Sequence, residues 1–525
     1  MAKLKVLLVT GRLAENIVKN YAQQNSVEVE VIALNVPVAA FLNSETILEG
    51  LKNYDLKDVD IIITPGLSRG DTKTLTNALG IPTFKGPRYA ADLPTTLEVL
   101  NKVALSTTIP ACDLLRDILT EKALTEIEKI EQQSDEYLKQ PSSMLIKNLV
   151  IGKNFPMRVM AEIVDAALMS NEEIQYFAKK FAAEGAHIID VGMVAGKSNP
   201  ENAVRIIKAV KAVVDLPVSI DTLDSEEIKA ATCAGVDLIL SLDAGNIDKL
   251  SAFTIDVPVV IIPTNQCDGY FPKKAQERVQ LAEELVVKAK KCGFHKILVD
   301  LILDPLNVLE SFIAFKDFSM RNPTVPLFVG VANVTELFDA DSVGLNALLA
   351  RLSDEVGASV MLATEKSTKA QGTVKEEVIA AKMMYLAKKR DSVPKDLGLD
   401  LLVLKDKRSR EEVYDETVEK KSTVVIAKSE IVQSEFDSVG MFKIVIDRKN
   451  KDVVALLFSD ISMDNPVMII KGKTSKTIYT KIVELGLVTR LDHAAYLGSE
   501  LEKAEIALKT GKEYIQDECL FRKTF

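Results

Sequence analysis

Ala186-His-Ile-Ile-Asp-Val-Gly192, Val218-Ser-Ile-Asp-Thr222 and Leu238-Ile-Leu-Ser-Leu-Asp243 follow one plan: a short run of apolar, β-favouring residues that ends at an aspartate. An amphipathic helical stretch follows each, and the pattern extends along the chain in both directions. Runs at 158–162, 187–190, 218–221, 238–243, 259–262, 297–300, 327–331 and 359–363 make eight β-then-α units. Eight such units predict a central (β/α)8 barrel, a fold whose chemistry sits where strands end and the next loops begin. The residues at those ends are Glu162, Asp190, Asp221, Asp243, Asn265, Asp300, Asn333 and Glu365. Stability alone gives little reason to put acids there, so the expectation is a carboxylate-rich binding or catalytic mouth.

On the N-terminal side, strands are expected at 5–10, 29–33, 60–64 and 81–84, with helices from Ala14 and over 72–79. This alternation predicts a small doubly wound α/β domain. Gly11, Gly66 and Gly70 follow strands and could approach a phosphate, although the full GxGxxG frame is missing and such glycines usually just make turns. A charged helical stretch over 121–140 ends at Pro141 and is expected to link into the barrel. After the barrel, 373–390 should close it and 405–421 should be a solvated connector. Strands at 423–427, 442–447, 453–458 and 467–471, with helices over 475–486 and 493–509, predict a C-terminal α+β domain. The division is 1–140, 150–392 and 398–525.

The formal net charge of −10 offers no basic excess for phosphate backbones, so nucleic acid is not an expected partner. Five dispersed cysteines without a CxxC pair suit reduced thiols and no zinc site. No signal peptide or membrane span is expected, and the localisation expected is cytoplasmic.

GAHIIDVG (185–192), PVSIDT (217–222), AGVDLILSLDAGN (234–246) and KILVDLILDP (296–305) come in this order on successive units. Together they resemble dihydropteroate synthases and other pterin-binding barrels, most closely the archaeal dihydropteroate-synthase-like group, over roughly 150–390. The resemblance implies a reduced pterin as substrate, with Asp221 and Asp300 meeting its nitrogens and Asp190 beside them. Asp304, in a literal Asp-Pro pair, competes for the role given to Asp300. Asp243 and Asn333 complete the pterin-binding set. The chemistry is reasonable without the name, because a pterin edge presents adjacent N–H donors and a buried carboxylate can accept two. The competing reading is that these acids cap helices or pair with lysines.

The departures from the family pattern are specific. Its Asn-x-Thr-Pro-Asp-Ser-Phe loop, whose Asn helps hold Mg²⁺, is replaced by Glu162-Ile-Val-Asp165, so those two acids are the metal candidates. The Ser-Arg-Lys after the seventh strand becomes Gly330-Val-Ala-Asn-Val-Thr335, and the Arg-x-His after the eighth becomes Thr364-Glu-Lys-Ser-Thr-Lys369. Cationic help for a diphosphate then falls to Lys366, Lys369 and Lys197.

Three functions follow. The first is condensation of 6-hydroxymethyl-7,8-dihydropterin diphosphate with an arylamine. In methanogens the resemblance implies 4-(β-D-ribofuranosyl)aminobenzene 5′-phosphate, on the route to tetrahydromethanopterin. The second is a methyl-tetrahydropterin-dependent corrinoid methyltransferase component, with His493 as a candidate cobalt ligand. The third is a non-catalytic pterin-binding scaffold. Barrels of this group often dimerise, so a homodimer is among the expected arrangements.

Overall fold

The computed structural model describes residues 4–22, 27–100, 103–395, 397–405, 414, 416–427, 437–459 and 465–521. It divides into two compact units, 1–129 with 393–422 and 130–392 with 423–525.

In the first unit, β1 (Lys5–Gly11), β2 (Glu28–Leu34), β3 (Ile61–Thr64) and β4 (Thr83–Lys85) form a sheet in the order β2-β1-β3-β4, with every pairing parallel. Val6 to Val9 of β1 are all buried, as befits a strand covered on both faces. The expected α/β domain is therefore present. Gly66 has a packing explanation: a Cβ there would sit 2.5 Å from the carbonyl carbon of Pro87. Residues expected to link into the barrel from 121 onward belong to a helix that begins earlier, Ala111–Gln132.

In the second unit a hairpin, β5 (Met144–Ile146) and β6 (Leu149–Ile151), precedes eight parallel strands. These are β7 (Arg158–Ile163), β8 (Ile188–Gly192), β9 (Val218–Asp221), β10 (Leu238–Leu242), β11 (Val259–Ile261), β12 (Ile297–Val299), β13 (Leu327–Val329) and β14 (Ala358–Thr364). They close into the expected barrel in sequence order, β14 pairing with β7. Its interior is filled by Met160, Ile188, Leu238, Leu240, Leu298 and Phe328, against which the hairpin packs Ile146 and Ile151. At the start of β7, Arg158 donates Nε to the Val150 carbonyl (2.9 Å) and grips Glu131 with both terminal nitrogens (2.6 and 2.9 Å).

Side chains alternate along a strand, so every second residue faces the barrel interior. Counting from the apolar filling, Met160 leads to Glu162, Ile188 to Asp190 and Leu298 to Asp300. Strand phase thus lifts these carboxylates from the apolar layer into the mouth. Asp243 lies an odd number of residues beyond Leu238 and Leu240, a count that the one-residue shift in the β10–β11 register between Leu240 and Leu242 offsets. Glu365 is out of phase with Leu362, and its buried carboxylate pairs with Lys180 on the helix Asn171–Glu184.

The C-terminal part is an antiparallel sheet of β15 (Met441–Asp447), β16 (Asp452–Phe458) and β17 (Met468–Gly472). Helices Ser475–Glu484 and Leu491–Thr510 cover one face, burying Ile478, Ile482, Leu497, Leu501 and Ala504 against Phe442, Ile444 and Val453. The strand expected at 423–427 is not formed: these residues are irregular, with Val425 84% and Ile426 81% exposed. Their β-branched content is a local signal only, and a strand needs a partner to pack on. Of the expected connector, 406–413 and 415 lie outside the described residues, and Glu416–Lys421 is a 3₁₀ turn.

Candidate functional site

The registers Glu162↔Asp190 and Gly192↔Asp221 bring the ends of β7, β8 and β9 together. Ligand-capable oxygens of Glu162, Asp190 and Asp221 lie within 4.8 Å of one another. Gly192 makes room for this, since a Cβ there would sit 2.6 Å from Glu162 Oε1. Asp190 is fully buried; its Oδ1 accepts a 2.5 Å hydrogen bond from Ser219 Oγ, while its Oδ2 is buried without a partner. Burial pushes the Glu162 carboxyl up to about 8, with Asp221 and Asp165 adding to it. Burial also lifts Asp221 to about 6 and raises Asp190 well above the usual carboxylate range. Three acids this close in a poorly solvated place resist being charged together.

Across the mouth, Asp300 is buried and raised to about 7, chiefly by that burial. Its Oδ1 accepts the Ile302 N–H at 2.8 Å. Ile302 stands at φ +65°, a costly conformation for a β-branched residue, and the buried Arg278 donates to its carbonyl at 2.9 Å. The strained turn thereby aims Asp300. A Cβ on Gly330 would lie 3.7 Å from Asp300 Oδ2 and 3.3 Å from Asn333 Nδ2, so these two side chains converge over that glycine. Asn333 Nδ2 donates one hydrogen to the Leu303 carbonyl at 3.3 Å, and its second, beside the Asp300 acceptor, makes a complement for a heterocyclic edge. Asp304 belongs elsewhere: it faces Arg278 (3.5 Å) and Lys273 (3.6 Å) and accepts from Leu306 N and Asn307 Nδ2. It braces the loop after β12, which leaves Asp300 in the mouth.

Other residues singled out from the sequence are engaged by neighbouring loops. Asp243 accepts from Gly245 N (2.8 Å), Thr264 Oγ1 (3.1 Å) and Gln266 N (2.6 Å), so both its oxygens bind the loops after β10 and β11. Asp165, at φ +53°, pairs with Lys366 at 2.8 Å; both are exposed at the rim. The structure therefore groups Glu162 with Asp190 and Asp221, and turns Asp165 toward the lysine. Lys369 donates to the carbonyls of Thr335 and Phe338, which corrects its expected place beside a diphosphate. Lys197 is exposed on the loop after β8. It lines a cavity of about 780 Å³ that reaches from Asp221 past Ser198 and Asp243 to Lys249 and Cys267. His493 Nδ1 lies 3.1 Å from Asp437, whose carboxylate also takes the Thr489 N–H and hydroxyl, so this ring is part of a local cap.

Two shaping residues were not legible in the sequence. Glu227, buried, accepts from Asn199 N (2.8 Å) and Thr222 Oγ1 (2.5 Å), tying the loop that carries Lys197 to the end of β9. Glu336 accepts from Thr364 Oγ1 (3.0 Å), Lys366 N (2.9 Å) and Ser367 N (3.2 Å), shaping the loop that carries Lys366. Asp224 and Glu227 resemble a helix-capping pair, which hid the second role; nothing local marks Glu336.

Three family profiles match: "Pterin binding enzyme" over 163–340, a family of unknown function (DUF6513) over 4–88, and PterinBD-DUF4346 over 436–517. The uncharacterized protein MJ0107 of Methanocaldococcus jannaschii is 41% identical over 99% of this chain and 99% of its own length. A dihydropteroate synthase of Streptococcus pyogenes is 35% identical over 17% of this chain and 38% of its own length. Among solved structures, Xanthomonas albilineans dihydropteroate synthase with indole-2-carboxylic acid and 6-chloroguanine covers 48% of this chain and 98% of its own, at 18% identity and TM-score 0.39. The Yersinia pestis enzyme with a pterine-sulfa conjugate covers 47% and 99%, at 16% and 0.37. Alike from end to end, the chain belongs to the same family as MJ0107, with a pterin-binding, dihydropteroate-synthase-like domain on its barrel and additional N- and C-terminal regions.

Proposed function

We propose that this protein is a transferase that condenses 6-hydroxymethyl-7,8-dihydropterin diphosphate with an arylamine, 4-(β-D-ribofuranosyl)aminobenzene 5′-phosphate, in tetrahydromethanopterin synthesis. The observation that carries the reading is the convergence of Asp300 and Asn333 over Gly330, at the mouth of a barrel matched by a pterin-binding profile. Asp300 and one oxygen of Asp221, whose other oxygen faces Glu162 and Asp190, accept from the pterin's pyrimidine edge, and Asn333 supplies the complementary donor. Asp190, behind Asp221 and held by Ser219, shapes the floor, and Asp243 fixes the loops that frame the arylamine side. The reaction needs no protein nucleophile: the arylamine nitrogen attacks the exocyclic methylene as the C–O bond to diphosphate breaks. The residues orient both partners and keep water out.

The leaving group implies Mg²⁺, and the donors fit one: the clustered carboxylates of Glu162, Asp190 and Asp221 are an all-oxygen set, and Asp190 keeps one buried oxygen without a partner. When bound there, Mg²⁺ supplies charge neutralisation to departing diphosphate. Lys366 at the rim and Lys197 on its loop are the side chains proposed to receive the anion. A second reading, methyl transfer from a methyl-tetrahydropterin, is favoured by one observation: two of the three lysines expected to meet a diphosphate are engaged by protein groups, Lys366 by Asp165 and Lys369 by backbone carbonyls. A homodimer is proposed through the helix Val308–Arg321, where Leu309, Ile313 and Met320 are exposed.

The deciding experiment incubates the protein with Mg²⁺, the pterin diphosphate and either 4-aminobenzoate or the ribosylated amine, and follows the product by chromatography. Product with the ribosylated amine, abolished in Asp221→Ala, is expected. Binding of a methyl-tetrahydropterin with no product from either amine would overturn the condensation in favour of methyl transfer.

A further inference from the structure

We infer that Glu162, Asp190 and Asp221 form a divalent-cation site owned by the protein, which binds its ion before any substrate arrives. The inference rests on the metal-assisted reading above and goes beyond it by assigning three protein ligands and excluding Asp165.

Among the described residues, this is the one group of three or more acidic, histidine or cysteine side chains close enough to share an ion. The three acids come from adjacent parallel strands, so their spacing is set by barrel hydrogen bonds and not by a loop. An acidic cluster alone would mean little. The independent sign is Asp190: fully buried, anchored through Oδ1 to Ser219, while its other oxygen, Oδ2, is buried with nothing to accept from. A buried carboxylate oxygen without a donor is costly and calls for a partner. Lys366, the lysine that acts on Glu162, is 62% exposed and bonded to Asp165 at 2.8 Å. Glu162 and Asp221 are half-buried, so each keeps part of its surface accessible to solvent. Three carboxylates with open positions suit a hard ion that keeps waters or takes a substrate oxygen, Mg²⁺ or Mn²⁺ rather than zinc.

The test uses the full chain with Mn²⁺ alone, followed by loss of the free-ion electron paramagnetic resonance signal. One Mn²⁺ per chain, displaced by Mg²⁺, is expected without pterin. Glu162→Gln and Asp190→Asn should each weaken it at least about tenfold, and Asp165→Asn should leave it within about twofold of wild type. If Asp190→Asn fails to fold, Glu162→Gln decides alone, because a half-buried amide of the same size is tolerated there. No stoichiometric binding without substrate, or equal loss in Asp165→Asn, would overturn the assignment. Mn²⁺ binding in a protein that makes no condensation product would support the site while removing the transferase reading.

Discussion

Replacing Asp300 by asparagine is expected to move stability and ligand affinity in opposite directions. Burial raises this carboxyl from 3.8 to about 7, against the opposing pull of the Ile302 N–H and Arg278. The folded protein therefore holds a proton that the unfolded chain releases near pH 4. Wild-type stability should fall as pH rises from about 4 to about 7 on account of this group, and the cost is complete above 7. The thousandfold difference in proton affinity corresponds to ~4 kcal/mol, at ~1.4 kcal/mol per factor of ten. Asp300→Asn keeps the shape and cannot ionise, so its advantage over wild type should be near zero at pH 4 and reach several kcal/mol by pH 8. Pterin binding needs the opposite state. An ionised carboxylate accepting a pterin N–H contributes ~1.5–3 kcal/mol, so the variant should lose about ten- to a hundredfold in affinity. Wild-type affinity should rise with pH through about 7, where Asp300 gives up its proton. Urea unfolding across pH 4–9 and fluorescence titration with 6-hydroxymethyl-7,8-dihydropterin read the two effects. A variant no more stable than wild type at pH 8, or one that binds the pterin undiminished, would refute the reasoning.

Gly330→Ala should weaken pterin binding without unfolding the barrel, because its methyl would press on Asn333 Nδ2 at 3.3 Å; calorimetric titration beside a melting curve separates the two effects. Glu131→Ala leaves the guanidinium of Arg158, 2% exposed, without its bidentate partner, and should cost about 3–5 kcal/mol in chemical denaturation. Lys369→Ala removes a donor from two loop carbonyls and should lower the melting temperature. Lys366→Ala frees only an exposed ion pair and should change stability by less than about 1 kcal/mol, its effect appearing in turnover with the diphosphate substrate. His493→Ala should leave condensation unaltered, since its Nδ1 faces Asp437 in a local cap; a loss of activity without loss of stability would contradict this.

The barrel was legible because its signals are local and repeated: eight apolar runs, each followed by a helical stretch, each strand ending on a polar residue. The same alternation sorts most of the acids. Glu162, Asp190 and Asp300 each lie two residues beyond an interior apolar side chain, so strand phase directs them into the mouth, whereas Glu365 falls out of phase and is buried against Lys180. What only the tertiary structure decided is how each group is occupied. Asp243 looked equivalent to its neighbours, yet both of its oxygens are taken up by the loops after β10 and β11. Asp304 was separated from Asp300 by a buried arginine 26 residues away in sequence. Asp165 and Lys366, 201 residues apart, found each other across the rim and left Glu162 to Asp190 and Asp221. Alternation and apolar content are written in consecutive residues, so the chain's own order carries them. Hydrogen bonds between loops depend on which strand ends the closed barrel sets side by side, and that adjacency exists only after folding.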